Sequence, residues 1–223
     1  TNAFKLNEDV VIPIEALPGF AQFIEELNLE KERQNRQACV EAVTELVLGW
    51  EDDGEYLGQK RERALAMFER GDEPDVVRGV FLGYPDLLAQ FDEALEAERT
   101  RRIIVATHMH AGDGNVHVNI PVHSNDYEMM LEADGVAGTV MKKTAELGGV
   151  ISGEHGIGLT KLKFIEPEVL DRYREYKQGV DPDDLFNPGK LTRDFAHNTV
   201  YTPSLNLLNK EAFILEAADL KDL

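Results

Sequence analysis

Ile103-Ile104-Val105-Ala106-Thr107-His108-Met109-His110-Ala111-Gly112-Asp113-Gly114-Asn115-Val116-His117-Val118-Asn119-Ile120-Pro121-Val122 decides the fold. Two runs rich in β-branched residues, 103–107 and 116–122, flank Asp113-Gly114 and predict two strands. An Asp-Gly pair suits a two-residue type I′ turn, which needs positive φ at both central positions. With those two residues as the turn, His110 pairs with His117 and His108 with Asn119. A side-chain period of two then puts His108, His110, His117 and Asn119 on one sheet face.

Cross-strand Cβ atoms lie roughly 5 Å apart, close enough for two imidazoles to share a cation. His110 and His117 are therefore candidate metal ligands. Glu154 is the natural third, because it follows the short apolar run Val150-Ile151 within Gly153-Glu154-His155-Gly156-Ile157-Gly158. Glycines there let the backbone approach a ligand closely. A single histidine is more often structural than ligating. Three of the chain's 6 histidines within ten residues of one another, beside a turn that brings them together, point instead to a site. His123 and His197 lack such company and are expected at the surface, and His108 is either an outer support of the site or an ordinary sheet residue.

Upstream of this hairpin the pattern is helical. Val10-Val11-Ile12-Pro13 reads as a strand ended by proline, Leu17-Pro18-Gly19 as a turn, and Phe20 to Leu27 as a helix. From Glu30 to Trp50, Cys39, Val43, Leu46 and Trp50 recur at helical spacing with Val40 and Val47 beside them. Asp52-Asp53-Gly54 and Gly71-Asp72-Glu73-Pro74 separate further helical stretches, and Leu88, Phe91 and Leu95 carry the period toward Arg99. Downstream, Asn125 and Glu128 suit an N-cap and its partner, and Met129, Ala133, Val136 and Val140 mark the buried side of a long helix. Gly148-Gly149 ends it, Val150-Ile151-Ser152 re-enters the sheet, and Pro167 starts a last helix through Leu170, Tyr173 and Tyr176. The class predicted is α+β: an antiparallel sheet with helices packed on one face, plus a mainly helical section over 30–99.

Composition narrows the functions. The chain has 223 residues, with 42 acidic against 23 basic side chains and a net charge of -19, which opposes nucleic-acid binding. No apolar run approaches the roughly 18 residues of a membrane span. The opening Thr1-Asn2-Ala3-Phe4 lacks the features of a signal peptide and reads as the start of an excised segment. The lone Cys39, on an apolar helical face, is expected to be a buried thiol in a reducing, cytoplasmic setting, with attachment at a membrane surface through partners as the variant.

His110 through His117, Gly153 through Gly158, and Asp181-Pro182-Asp183-Asp184-Leu185-Phe186-Asn187-Pro188-Gly189-Lys190 together resemble the C-terminal domain of FAD-linked oxidases. That is the family of D-lactate dehydrogenase, the glycolate oxidase flavin subunit and D-2-hydroxyglutarate dehydrogenase, and the three motifs, over 103–191, keep the family's order. The resemblance implies a ferredoxin-like cap fold for the part it covers, within a substrate and cap domain taken as 1–193 that includes the helical section 30–99; 194–223, which carries no usable motif, reads as a tail or linker. It implies a substrate half whose FAD is held by a flavin-binding domain of the same polypeptide or of a partner subunit; nothing before residue 101 resembles that domain's Gly-rich segment. It further implies a divalent metal, zinc, on His110, His117 and Glu154, binding a small 2-hydroxy acid by carboxylate and hydroxyl. His155 is then the catalytic residue that takes the hydroxyl proton as hydride leaves C2 for flavin N5. Histidine as a residue type, titrating near about 6.5, suits that role. Asn115 and Gly156 are the implied cofactor-binding positions, Asn115 being also readable as a turn residue in the left-handed region. Asn119 and Lys161 are the implied substrate-binding residues, Asn119 alternatively orienting a ligand and Lys161 alternatively pairing with a carboxylate, capping a helix end or standing solvated. Asn187-Pro188-Gly189 reads as a structural turn locking the last helix. The electron acceptor is open. The reading from another class is a metal-stabilised interaction module whose acidic helices dock a partner.

Overall fold

The structure, a computed structural model, describes residues 3–50, 55–123, 126–158, 161–188 and 191. Asp52-Asp53-Gly54, Asn125, Gly189-Lys190, His197 and the tail 194–223 lie outside the described residues. The chain divides into two compact units, residues 1–24 with 105–223, and residues 25–104.

The first unit holds the sheet. Strand β1 spans Ala3–Val11, longer than the apolar run alone predicts, because Leu6 and Val10 bury one side while Asn7 and Asp9 stand on the other. A 3-10 turn over Ile14–Ala16 leads into helix α1, Leu17–Gly49, whose larger part belongs to the second unit. Leu17-Pro18-Gly19, expected as a turn, is instead the first helical turn, where the N–H that proline lacks has no intrahelical partner to lose.

The second unit is helical throughout its described elements, as its apolar periodicity predicts. The rest of α1 is followed by α2 (Glu55–Glu69), α3 (Pro74–Arg78) and α4 (Pro85–Thr100). Cys39, Val43, Val47 and Trp50 of the predicted stripe enter one core with Phe68, Val77, Phe81, Phe91 and Leu95. Phe81 meets Trp50 edge-on at 4.8 Å between ring centroids. The Cys39 thiol is buried, and burial raises its pKa.

Back in the first unit, strand β2 is Ala106–His110 and β3 is Asn115–His123, giving the antiparallel order β1-β3-β2. Pairing in β2 begins three residues later than expected from Ile103-Ile104-Val105. Ile103 and Val105 are buried without belonging to the strand, whereas β2 itself is exposed along its whole length and so carries no apolar alternation. The hairpin register also differs. His108 pairs with His117 and His110 with Asn115, because a four-residue loop, Ala111 to Gly114, replaces the two-residue turn. The backbone N–H groups of Asp113 and Gly114 both donate to the His110 carbonyl, at 3.2 and 3.1 Å. Gly114, at φ 76°, brings its carbonyl to the Ile12 N–H at 2.9 Å, and a Cβ there would collide with the Ile12 carbonyl oxygen. The slip is two residues, so the predicted histidine face survives it.

Helix α5, Tyr127–Glu146, packs on β1 and β3 with Met129, Ala133, Val136 and Val140 buried as predicted. Its N-cap is Asp126, whose carboxylate accepts the Met129 N–H at 2.9 Å. The apolar face of β3, Val116, Val118, Ile120 and Val122, is buried, and the alternate face carries the histidines. The expected return of Val150 to the sheet is a single antiparallel bridge to Val11. Helix α6, Pro167–Val180, starts on the predicted proline and buries Leu170, while Tyr173 and Tyr176 stay exposed.

The segment after α6 is tied back by Asp181, whose two oxygens accept the N–H groups of Leu185 and Phe186 at 2.9 Å each. The Phe186 N–H, opposed by burial and aided by the Leu185 N–H and the Lys177 ammonium, holds this carboxyl below the usual range. Asn187 takes the turn geometry expected of it, at φ 48°. This tie is made by a titratable carboxylate that the sequence reading did not single out.

Candidate functional site

The site lies on the sheet face opposite α5's side of β3. From β3 come Asn115, His117 and Asn119, from β2 come His108 and His110, and from β1 Asp9 stands directly across from His117. His117 forms the floor, with its side chain 6% exposed, while His110, Glu154 and His155 are open at 60%, 53% and 57%. The Glu154 Oε1 atom lies 3.1 Å from His117 Nε2, 4.0 Å from His110 Nε2 and 3.4 Å from His155 Nε2. One ligand atom from each of His110, His117 and Glu154 falls within 4.8 Å of the others, close enough that a small side-chain adjustment lets one cation bind all three. Two imidazoles and a carboxylate are a donor set suited to zinc, and the open side leaves room for a further ligand.

Four imidazoles crowd this face. His108 stacks on His117, with ring centroids 4.5 Å apart and planes 10° from parallel. His110 and His155 meet His117 edge-on at 5.5 and 5.3 Å. The Asn119 amide nitrogen lies 3.2 Å from His108 Nδ1. His108 is thus drawn into the site by the register that displaced it from Asn119 to His117.

The loop bearing Glu154 and His155 is seated from below. The His155 N–H donates to Asp9 Oδ2 at 3.0 Å. Lys161, 2% exposed, places its ammonium on Asp9 Oδ1, donates to the Asp9 carbonyl at 2.6 Å and stands 3.8 Å from Glu8 Oε2. Among the alternatives for Lys161, pairing with a carboxylate is the one observed. Burial by itself raises the Asp9 carboxyl, but the Lys161 ammonium and the His155 N–H outweigh it and hold the group below the usual carboxylate range.

Asn115 does not occupy the left-handed region; Gly114 does, and Asn115 opens β3 with its side chain buried. Its N–H donates to Asp113 Oδ1 at 3.1 Å, a local turn bond. Gly156, at φ 73°, has open space where a Cβ would stand. Asp9 is the residue that sequence reasoning missed. The available signal was the alternation Leu6, Asn7, Glu8, Asp9, Val10, which puts Asp9 on the face away from Val10 once the strand is extended upstream.

The profile of the family "FAD linked oxidases, C-terminal domain" matches residues 30–191. The chain belongs to this family. The match takes in the helical stretch from residue 30, beyond the three motifs that carry the resemblance in sequence. The chain is 40% identical over 94 residues to D-lactate dehydrogenase of Archaeoglobus fulgidus, covering 41% of this chain and 20% of that protein. It is 34% identical over 116 residues to glycolate oxidase subunit GlcD of Escherichia coli, covering 50% and 21%. Over 110 residues it is 32% identical to the mitochondrial D-lactate dehydrogenase [cytochrome] of Arabidopsis thaliana, covering 48% and 19%. The aligned part amounts to about a fifth of each of these relatives' length. Among the described residues no helix is long and apolar enough to cross a membrane.

Proposed function

We propose that this FAD-linked oxidase domain is the metal- and substrate-binding part of a flavin-dependent dehydrogenase of small 2-hydroxy acids. The observation that carries the reading is the open His110, His117, Glu154 cluster with His155 beside it. Three protein ligands and a free direction are the hallmark of a catalytic rather than a closed structural zinc site. The names of the relatives, D-lactate dehydrogenase and glycolate oxidase, agree in substrate class.

In this reading His110, His117 and Glu154 hold a divalent cation. Such a cation would lower the pKa of a bound hydroxyl and fix its orientation, and FAD, held mainly by a further domain or a partner subunit, would supply the two-electron acceptor for the substrate. His155 Nε2, exposed and next to Glu154, accepts the proton that the hydroxyl loses as the acid becomes a 2-oxo acid. In this reading Asn119, beside His108 on the same face, binds the substrate. Gly156, with nothing filling its Cβ position, is where a flavin ring can come close. Buried Asn115 lies against that loop at Gly153. Lys161 acts through Asp9.

Elemental analysis of the purified chain tests the reading, with about one divalent ion per chain expected for the wild type and none for His117→Ala. Metal-loaded protein is expected to gain thermal stability from D-lactate, glycolate or D-2-hydroxyglutarate. Strong destabilisation on chelation, with no response to any hydroxy acid, would replace this reading by the metal-stabilised interaction module.

A further inference from the structure

Residues 155 and 161 converge on one carboxylate. Asp9 Oδ2 accepts the His155 backbone N–H, and Asp9 Oδ1 is taken by the Lys161 ammonium. Both residues are almost wholly buried, Asp9 at 1% and Lys161 at 2% exposure. Burying an ion pair is poorly explained by stability alone, because a well-packed apolar pair of similar volume serves as well or better. What an apolar pair cannot do is present a fixed acceptor to a backbone N–H.

Two further observations give that acceptor its target. Asp9 stands directly opposite His117 in the β1–β3 ladder, so the strand pair that places this ligand also places the anchor of the loop carrying Glu154. Gly153, the residue before Glu154, lies so close to the sheet that a Cβ on it would overlap both Asp9 Oδ2 and Asn115 Oδ1. The loop is pressed onto Asp9 at Gly153 and bonded to it at His155, and Glu154 lies between.

We propose that the Asp9 carboxylate, itself held by Lys161, is the positioning group that sets the Glu154-His155 segment against His110 and His117. Asp9 is not one of the three candidate metal ligands and acts through the loop backbone. The inference rests on the roles given above to Glu154 and His155, and its test separates the two.

The comparison is between two neutral double variants of the 223-residue chain. Asp9→Asn with Lys161→Gln keeps an acceptor for the His155 N–H; Asp9→Ala with Lys161→Met removes it without leaving a lone buried charge. Gly153→Ala is a third variant, lifting the loop while the ion pair stays. The His155 amide is followed by 1H–15N NMR, and affinity is read by cobalt(II) titration, cobalt reporting its coordination in its absorption spectrum.

The Asn/Gln variant is expected to stay within about threefold of wild type in cobalt affinity, with the His155 amide protected. The Ala/Met variant and Gly153→Ala are expected to bind cobalt about 10–100-fold more weakly, the range for lost support of a metal ligand, with a faster-exchanging His155 amide. Unchanged amide protection and affinity in the Ala/Met variant or in Gly153→Ala would overturn the proposal. If the amide responds as expected but no variant, wild type included, binds cobalt, the positioning by Asp9 is upheld and the metal reading fails.

Discussion

The two units of this chain solve burial in opposite ways. The helical unit, 25–104, fills its interior with apolar side chains such as Val43, Val47, Phe81 and Phe91, and its ion pairs, among them Arg33 with Glu30 and Arg99 with Asp75, lie outside that core. The sheet unit buries Asp9, Lys161 and His117 beneath one face and opens His110, Glu154 and His155 above them. An apolar core needs only hydrophobic periodicity. Buried charge needs a specific partner for each polar atom, and it is found here directly under the candidate chemistry.

The sharpest way to break that contrast is to damage each interior in turn. Phe81→Ala in the helical unit should cost about 3–5 kcal/mol in chemical denaturation, the range for an aromatic removed from a core, and leave metal affinity unchanged. A fall in metal affinity would show that the helical core serves the site after all. Lys161→Met in the sheet unit should cost a similar amount, about 3–5 kcal/mol, because Asp9 is left buried and unpaired. It should also weaken metal binding, which Phe81→Ala should not.

The same pair has a pH signature. Asp9 is held below its unfolded pKa of about 3.9, so its stabilisation is fully present above that value and is lost as pH falls through the lower folded pKa. Acid unfolding below about pH 4 should therefore be shallower in the Asp9→Asn, Lys161→Gln chain than in wild type, when both are followed by circular dichroism. An identical acid limb would mean that the pair contributes nothing to folding.

His117→Ala should lower metal affinity about a hundredfold or more, equivalent to about 2.8 kcal/mol, in an equilibrium titration. Retained affinity would leave the stacked histidines as sheet decoration and erase the chemical half of the contrast. The smallest effect is expected at a feature that has no part in it. Asp126→Ala, removing the α5 N-cap, should cost about 1 kcal/mol in stability and nothing in metal affinity.

How much of this was legible in sequence differed by unit. In the helical unit the spacing of Cys39, Val43 and Trp50 was sufficient, since a helix with one apolar face has only one way to hide it. In the sheet unit the two ends of the hairpin behaved differently. β3 was readable because Val116, Val118, Ile120 and Val122 alternate with polar residues, while β2, exposed on both sides, was blurred into Ile103 and Val105 before it. His110 and His117 still share a face despite a misjudged loop, because a two-residue slip does not change which face a side chain occupies.

By itself the sequence determined the α+β class, the helical extent of 30–99, the histidine face and the family, since each depends on local period or on motifs within a few residues. Only the tertiary structure decided that His108 stacks on His117, that Lys161 pairs with Asp9, and that Asp9 holds His155 from 146 positions away. The physical reason is that strand register and loop seating follow from backbone hydrogen bonds between distant segments. No hydrophobic pattern encodes which carboxylate a buried lysine will meet.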